Sequence, residues 1–313
     1  MARNANPRPA APAPEKIPSL FMVELFAGCN LRCPLCFAGR RELARKKYSI
    51  SLAEWKVILE KIEPFAETLY PIIWGESTLN PDFLEILTYT KQRKPSLKII
   101  ISTHGNGLSQ EYARRLVATG VDQILVDLDG FSQGAYEKFR SGGNVEEVKT
   151  FIGYLVQARR GSGSPVAITA QCIQSAYSLP EKEELERWAA QTGVTAGFKP
   201  ILIQPFPETD YRDFMTPEVE VQPWSVKGCV AMDEAITILS DGSVVPCCEH
   251  HMDEGNGLGN IFENSVEEIF NNPNRRRMME SARRGKAPSP MCASICSKGA
   301  WDRKNLRFDG NPE

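Results

Sequence analysis

Six short apolar runs alternate with stretches of helical periodicity, and this order restricts the chain to an α/β architecture on a parallel sheet. The runs are FMVELF (21 to 26), TLYPIIW (68 to 74), LKIIIS (97 to 102), QILVDLD (123 to 129), VAITAQCI (166 to 173) and FKPILI (198 to 203). Several carry the dense Val, Ile and Leu content of strands buried on both faces. Between them, SLAEWKVILEKI (51 to 62) opens on Ser51 with Glu54 three residues on, a capping-box pattern, and Leu52, Trp55, Ile58, Leu59 and Ile62 form one apolar stripe. Trp55 is therefore expected in the core. Similar patterns cover 83 to 93, 109 to 119, 144 to 158 and 180 to 191. In a βα order of this kind, ligand sites gather beyond the C-terminal ends of the strands.

Directly after the first run, CNLRCPLC (29 to 36) places Cys29, Cys33 and Cys36 within eight residues. The nine cysteines of the chain are unevenly spread, and clustered cysteines in a chain without a disulfide-scaffold character read as metal ligands or catalytic groups. Zinc takes four ligands, and this segment has no histidine; His104 is distant in sequence. An iron-sulfur centre fits better, because three thiolates on a four-iron cluster leave one iron open to an exchangeable ligand.

The Cys29, Cys33, Cys36 spacing resembles the signature loop of the radical S-adenosylmethionine (SAM) superfamily. The resemblance implies a partial (β/α)6 TIM-like barrel, a 4Fe-4S cluster whose open iron chelates SAM, and reductive cleavage of SAM to a 5'-deoxyadenosyl radical. Gly75 and Glu76 in WGESTLNPDF resemble the family's Gly-Glu-Pro stretch, with Ser77 in place of proline. By that resemblance Gly75 allows close backbone approach to the SAM methionine and Glu76 helps to hold its ammonium. STHGNG (102 to 107) stands where relatives have Thr-Asn-Gly, with His104 replacing asparagine, and VDLDGF (126 to 131) resembles a Ser-Ile-Asp-Gly pattern. Thr103, Asp127, Asp129 and Arg140 are thereby candidates to face SAM or substrate, although alternation along a strand leaves open which of them turn inward.

A second cysteine set is spread over the last third of the chain. Cys229 precedes AITILSDGSVVPCC, two β-patterned runs around Asp241-Gly242; a helical SVEEIF begins at Ser265, and CASIC ends at Cys296. The arrangement resembles the shortened SPASM or twitch extension of radical SAM enzymes, which implies an auxiliary 4Fe-4S cluster on Cys229, Cys247, Cys292 and Cys296. Zinc on the same four thiolates stays open. Cys248 is left over. Neighbouring strand residues face opposite ways, so Cys248 either packs beneath the cluster or donates a hydrogen atom to a substrate radical. Cys172 reads as a buried small hydrophobe.

The expected organisation is a Pro/Ala-rich disordered leader (1 to 18), a radical SAM barrel (19 to 220) and an auxiliary-cluster domain (221 to 313). A formal net charge of -2 gives no basic field for nucleic acid, and no apolar run reaches membrane-spanning length, so a cytoplasmic enzyme is expected. The resemblance extends to aminoglycoside epimerases and aminocyclitol dehydrogenases. It implies an external one-electron reductant such as flavodoxin or ferredoxin. Asp82, Asp127, Asp129, Glu208 and Asp210 suit a cationic aminated sugar, with epimerisation favoured because Cys248 then has a role. Dehydrogenation of a secondary alcohol and peptide modification are the alternatives.

Overall fold

The computed structural model describes residues 16–43, 45, 48–201, 211–219, 231–250, 257–296, 301–302 and 307–308. Most of the proposed leader, together with Glu208, Asp210, Cys229 and His251, lies outside the described residues, as does the side chain of Cys296.

Six parallel strands run in the order of the sequence: β1 (Leu20–Val23), β2 (Thr68–Tyr70), β3 (Lys98–Thr103), β4 (Gln123–Asp127), β5 (Ala167–Ile173) and β6 (Thr195–Lys199). The connections hold the helices α1 (Phe37–Arg40), α2 (Leu52–Ile62), α3 (Phe83–Arg93), α4 (Gln110–Ala118), α5 (Gln133–Phe139), α6 (Val145–Ser162) and α7 (Lys182–Thr192). Five of the six strand expectations coincide with observed strands. The sixth is displaced, since β6 ends at Lys199 whereas the apolar run was read from 198 to 203. Pro200 follows it, and a residue without an N–H cannot continue the ladder.

Ser51 caps α2 as its pattern predicts, with the Ser51 and Glu54 side chains each bonded to the other's backbone N–H. The helix places Trp55, Ile58, Leu59 and Ile62 in a core shared with Phe21, Leu69, Ile99 and Ile124 from the strands. Trp55 is fully buried, and its indole N–H donates to Thr90 Oγ1 at 2.8 Å, so the polar tip is satisfied. Burial of each such large apolar side chain contributes about 1.5–3 kcal/mol.

The C-terminal extension continues the same sheet. After α8 (Ala231–Glu234), strand β7 (Ala235–Ile238) pairs parallel to β1, Leu20 opposite Ala235, and β8 (Ser243–Val245) and β9 (Gly259–Asn260) follow antiparallel. The Asp241-Gly242 turn joins β7 to β8 as expected, with Gly242 at φ 83°. Helices α9 (Val266–Phe270), α10 (Pro273–Arg283) and α11 (Pro290–Cys296) follow, then the antiparallel pair β10 (Trp301–Asp302) and β11 (Arg307–Phe308), and Ser265 with Glu268 forms the capping box of α9.

Glu24, fully buried at the end of β1, locks this junction. Its carboxylate accepts from Arg45 Nε at 2.7 Å and Nη2 at 3.0 Å and from the Ser240 N–H at 3.2 Å, while its own N–H donates to Ile238 O at 2.9 Å. One carboxylate thus ties the cysteine-bearing connection to the extension. Among the described residues no helix is long and apolar enough to cross a membrane.

Candidate active site

One residue from the C-terminal part of each parallel strand faces a common cavity of about 450 Å³: Met22, Tyr70, Ser102, Asp127, Gln171 and Lys199. The register makes this ring, since Met22 lies opposite Tyr70 and Asp127 opposite Gln171. On β3 the inward residue is Ser102. Thr103 turns away, is buried, and accepts from the Gly105 N–H at 3.1 Å. Asp127 accepts from Gln171 Nε2 at 2.8 Å and Ser102 Oγ at 3.3 Å and pairs with Arg140 Nη2 at 3.0 Å.

Arg140 also pairs through Nε with the buried Asp129 at 2.5 Å. Burial works against its charge, but Asp129 and Asp127 outweigh that and hold the guanidinium well above its ordinary pKa. Burial likewise pushes the Asp129 carboxyl up, opposed by Arg140. Two of the aspartates expected to attract a cation are therefore occupied by an arginine. Asp82 serves the fold, accepting from the Leu52 N–H at 2.8 Å. Tyr70 is pushed up to about 12 by burial, so its phenol stays neutral.

The cysteine loop roofs one side of this ring, with Cys33 and Cys36 in the cavity wall and Cys29 outside it. Burial raises Cys29 to about 11 and Cys33 to about 12, and it raises Cys36 as well. Cys36 adds a smaller rise at both Cys29 and Cys33. The Cys29 sulfur accepts from the Leu31 N–H at 3.4 Å. Gly75, at φ 81°, lines the cavity and packs on the loop's entry so closely that a Cβ would stand 2.3 Å from Phe26 O and 2.8 Å from Gly28 O. The glycine is thus required by the protein's own backbone.

Glu76 is turned into a buried network, outside the cavity lining. Its carboxylate accepts from Thr78 Oγ1 at 2.7 Å and from the His104 N–H at 3.0 Å. His104 Nδ1 accepts from the Asn106 N–H at 3.0 Å, which leaves Nε2 to donate to Asn30 Oδ1 at 2.8 Å. His104 links the Gly75-Glu76 turn to the cysteine loop.

Cys248 and Glu249 also line this cavity. These residues and Cys247 lie in the turn beyond β8, so strand alternation does not separate the two cysteines as expected; Pro246 ends the ladder first. They are nevertheless separated. Cys248 faces the cavity, its carbonyl accepts from Trp74 Nε1 at 2.8 Å, and its thiol donates to Glu249 Oε1 at 3.6 Å. Cys247, half-buried, lies toward Cys292; desolvation raises it well above the ordinary thiol value, with Cys292 among the smaller causes. Cys292 Sγ is 3.6 Å from His250 Nε2. Cys172 is a buried core residue on β5, as read from the sequence.

Residues 23–169 match the radical SAM superfamily, and residues 229–297 match the SPASM iron-sulfur cluster-binding domain. The protein is a radical SAM enzyme. A probable GTP 3',8-cyclase of Methanococcus maripaludis is 31% identical over 42% of this chain and 43% of its own, and an Fe-coproporphyrin III synthase of Methanosarcina barkeri is 28% identical over 36% and 27%. The matches span less than half the length of these relatives. Among solved structures, BtrN in complex with AdoMet and 2-DOIA aligns over 91% of this chain and 93% of its own at 17% identity and TM-score 0.55. The AdoMet-bound anSMEcpe aligns over 93% of each chain at 14% identity and TM-score 0.67. SuiB of Streptococcus suis bound to its precursor peptide SuiA aligns over 93% of this chain and 75% of its own at 14% identity and TM-score 0.65. These likenesses give the fold: an α/β radical-SAM-like unit with a SPASM-type extension.

A radical SAM enzyme binds SAM and iron-sulfur, and the donor set of this radical SAM enzyme fits. Among the described residues no three His, Cys, Asp or Glu side chains converge on a single metal ion. A four-iron cluster does not ask for that, because each iron takes its own thiolate. Three thiols within eight residues of one loop, two of them in the cavity wall, suit it. Sequence reading missed Ser102, Gln171, Lys199 and Glu249. Only the strand register, a tertiary fact, tells which strand-end residues turn inward.

Proposed function

We propose that Cys29, Cys33 and Cys36 hold the SAM-binding 4Fe-4S cluster, that SAM lies against Gly75 and the neighbouring cavity wall, and that the enzyme oxidises a secondary alcohol of a small polar molecule such as an aminocyclitol or sugar. When bound, the cluster and SAM supply one-electron cleavage of SAM and the hydrogen abstraction that follows. An external one-electron reductant is required. The strands' convergence on one cavity supports a partial (β/α)6 barrel for residues 19–220, and the match at 229–297 supports an auxiliary 4Fe-4S cluster on Cys229, Cys247, Cys292 and Cys296 in 221–313.

The observation that carries the oxidative reading is Glu249 in the cavity wall, a carboxylate able to take the hydroxyl proton once a hydrogen atom has left the carbon, while the radical's remaining electron would pass to the auxiliary cluster that the second cysteine set would hold. Arg140, fixed by Asp127 and Asp129, holds another part of the same wall in place. The alignment with BtrN, which covers nearly all of both chains and holds 2-DOIA, supports a small-molecule substrate.

A second reading, inversion of a carbon in an aminated sugar, is favoured by Cys248, whose thiol lines the same cavity and can give a hydrogen atom to a substrate radical. The deciding experiment incubates wild type, Cys248→Ala and Glu249→Gln with SAM, reductant and a panel of aminocyclitols, aminoglycosides and peptides in deuterated buffer. Oxidation gives a product two mass units lighter with wild type and Cys248→Ala; Glu249→Gln still forms 5'-deoxyadenosine but little ketone. Inverted product carrying solvent deuterium, and lost in Cys248→Ala, decides for epimerisation. Stimulation of 5'-deoxyadenosine by peptides alone moves the substrate to that class.

A further inference from the structure

Among the described residues Arg41 is the single non-glycine with a left-handed backbone, at φ 65° and ψ 30°. It ends α1: its N–H donates to Ala38 O at 3.2 Å and the following Glu42 N–H donates to Phe37 O at 2.9 Å. Helices commonly finish this way, and glycine does so without a Cβ clash. Both bonds come from the backbone, so ending the helix does not account for an arginine here. The side chain does. Its Nη1 donates to the Cys29 carbonyl at 2.5 Å, twelve residues back, across the whole cysteine loop.

Other groups hold the rest of the loop. The Glu76 N–H takes Gly28 O at 2.8 Å, the Arg32 N–H reaches Ser141 O at 2.9 Å, and His104 takes the Asn30 side chain. The Cys29 carbonyl is left to the guanidinium. We infer that Arg41 is a positioning residue for Cys29, its strained backbone retained because that conformation aims a permanently charged donor at the peptide carrying the first thiol. The inference rests on the reading of Cys29 as a cluster ligand. Outer partners of this kind orient ligands, and their loss typically weakens metal binding about 10–100-fold. Arg41 itself is exposed, so its removal opens no core cavity.

Arg41→Gly separates positioning from folding, because glycine relieves the backbone strain while deleting the guanidinium. Full-length wild type and variant are reconstituted anaerobically, then compared by thermal melting, by iron release to a chelator, and by the electron paramagnetic resonance signal of the reduced cluster with and without SAM. The expected result is a melting temperature equal to or above wild type, with iron of the SAM-responsive cluster released at least about tenfold faster and its signal altered. Wild-type release with a wild-type signal overturns the inference. So does a lowered melting temperature with proportional loss from every iron centre, which makes Arg41 a fold residue. A wild-type chain without any SAM-responsive signal overturns the ligand reading beneath it, a failure distinct from the other two.

Discussion

The two cysteine regions are assembled by different means. Cys29, Cys33 and Cys36 sit on one loop fastened at Gly28, Cys29, Asn30 and Arg32 by bonds to neighbouring elements. Cys247 and Cys292 come instead from the turn after β8 and from α11, and only the packing of the extension brings them near each other. A local loop writes its donor spacing into the sequence, whereas a site closed by tertiary packing does not. The first region should therefore resist distant perturbation, and the second should feel any change in how the extension docks.

The strongest challenge to that contrast is Gly75→Ala. Its Cβ would meet the backbone at Phe26, Ala27 and Gly28 while the residue is held at φ 81°. The combined overpacking and left-handed strain should cost about 4 kcal/mol in urea unfolding and abolish SAM binding. Retained SAM affinity with less than about 1 kcal/mol lost would mean that the loop tolerates displacement.

Next comes Glu24→Gln, which removes the carboxylate charge paired with the buried Arg45 side chain. A loss of about 3 kcal/mol is expected, with amide exchange accelerating at the β7–β8 turn around Ser240 more than at the cysteine loop. Equal acceleration in both places would erase the distinction.

Thiol chemistry offers a third test. In the cluster-free chain, Cys29 at about 11 against an ordinary 9.0 should carry about 100-fold less thiolate at pH 8 than an open thiol, and alkylation should rise about tenfold per pH unit toward 11. Because the folded value is the raised one, the cluster-free chain keeps its full stability below pH 9 and loses it as pH climbs through 11. A flat melting temperature from pH 8.5 to pH 11 would contradict the burial of this thiol.

The smallest effect should come from Trp74→Phe, which removes the indole bond to the Cys248 carbonyl. About 1 kcal/mol is expected, read as faster exchange confined to residues 248–250. Spread to the N-terminal loop would show the cavity walls to be more tightly coupled than their separate construction suggests.

The legible part of the molecule is the part governed by local rules. Ser51 with Glu54 and Ser265 with Glu268 are capping boxes readable as sequence, and both form. The limits of α3, from Phe83 to Arg93, follow from periodicity alone. Strand inwardness was less accessible. Ser102 and Thr103 are both small hydroxyl residues, and only the pairing of β3 with β4 decides that Ser102 meets Asp127. Charge was harder still: Asp82, Asp127 and Asp129 looked alike as acids, yet one caps a helix and two clasp Arg140. A left-handed arginine leaves no mark in a sequence, because nothing in FAGRRE distinguishes Arg41 from Arg40.

The pairing of β7 with β1 has a practical side. Four consecutive residues of each strand are in register, from Leu20 opposite Ala235 to Val23 opposite Ile238. An extension stitched on in this way is no pendant that can be clipped off or exchanged like a cassette. Cutting before Ala235 would bare one edge of β1, immediately upstream of the cysteine loop, and an unpaired parallel edge invites other chains to add to it. Chimaeras that borrow an extension from another enzyme will succeed only where the donor strand keeps this register, and the seam to engineer is the four-residue ladder itself.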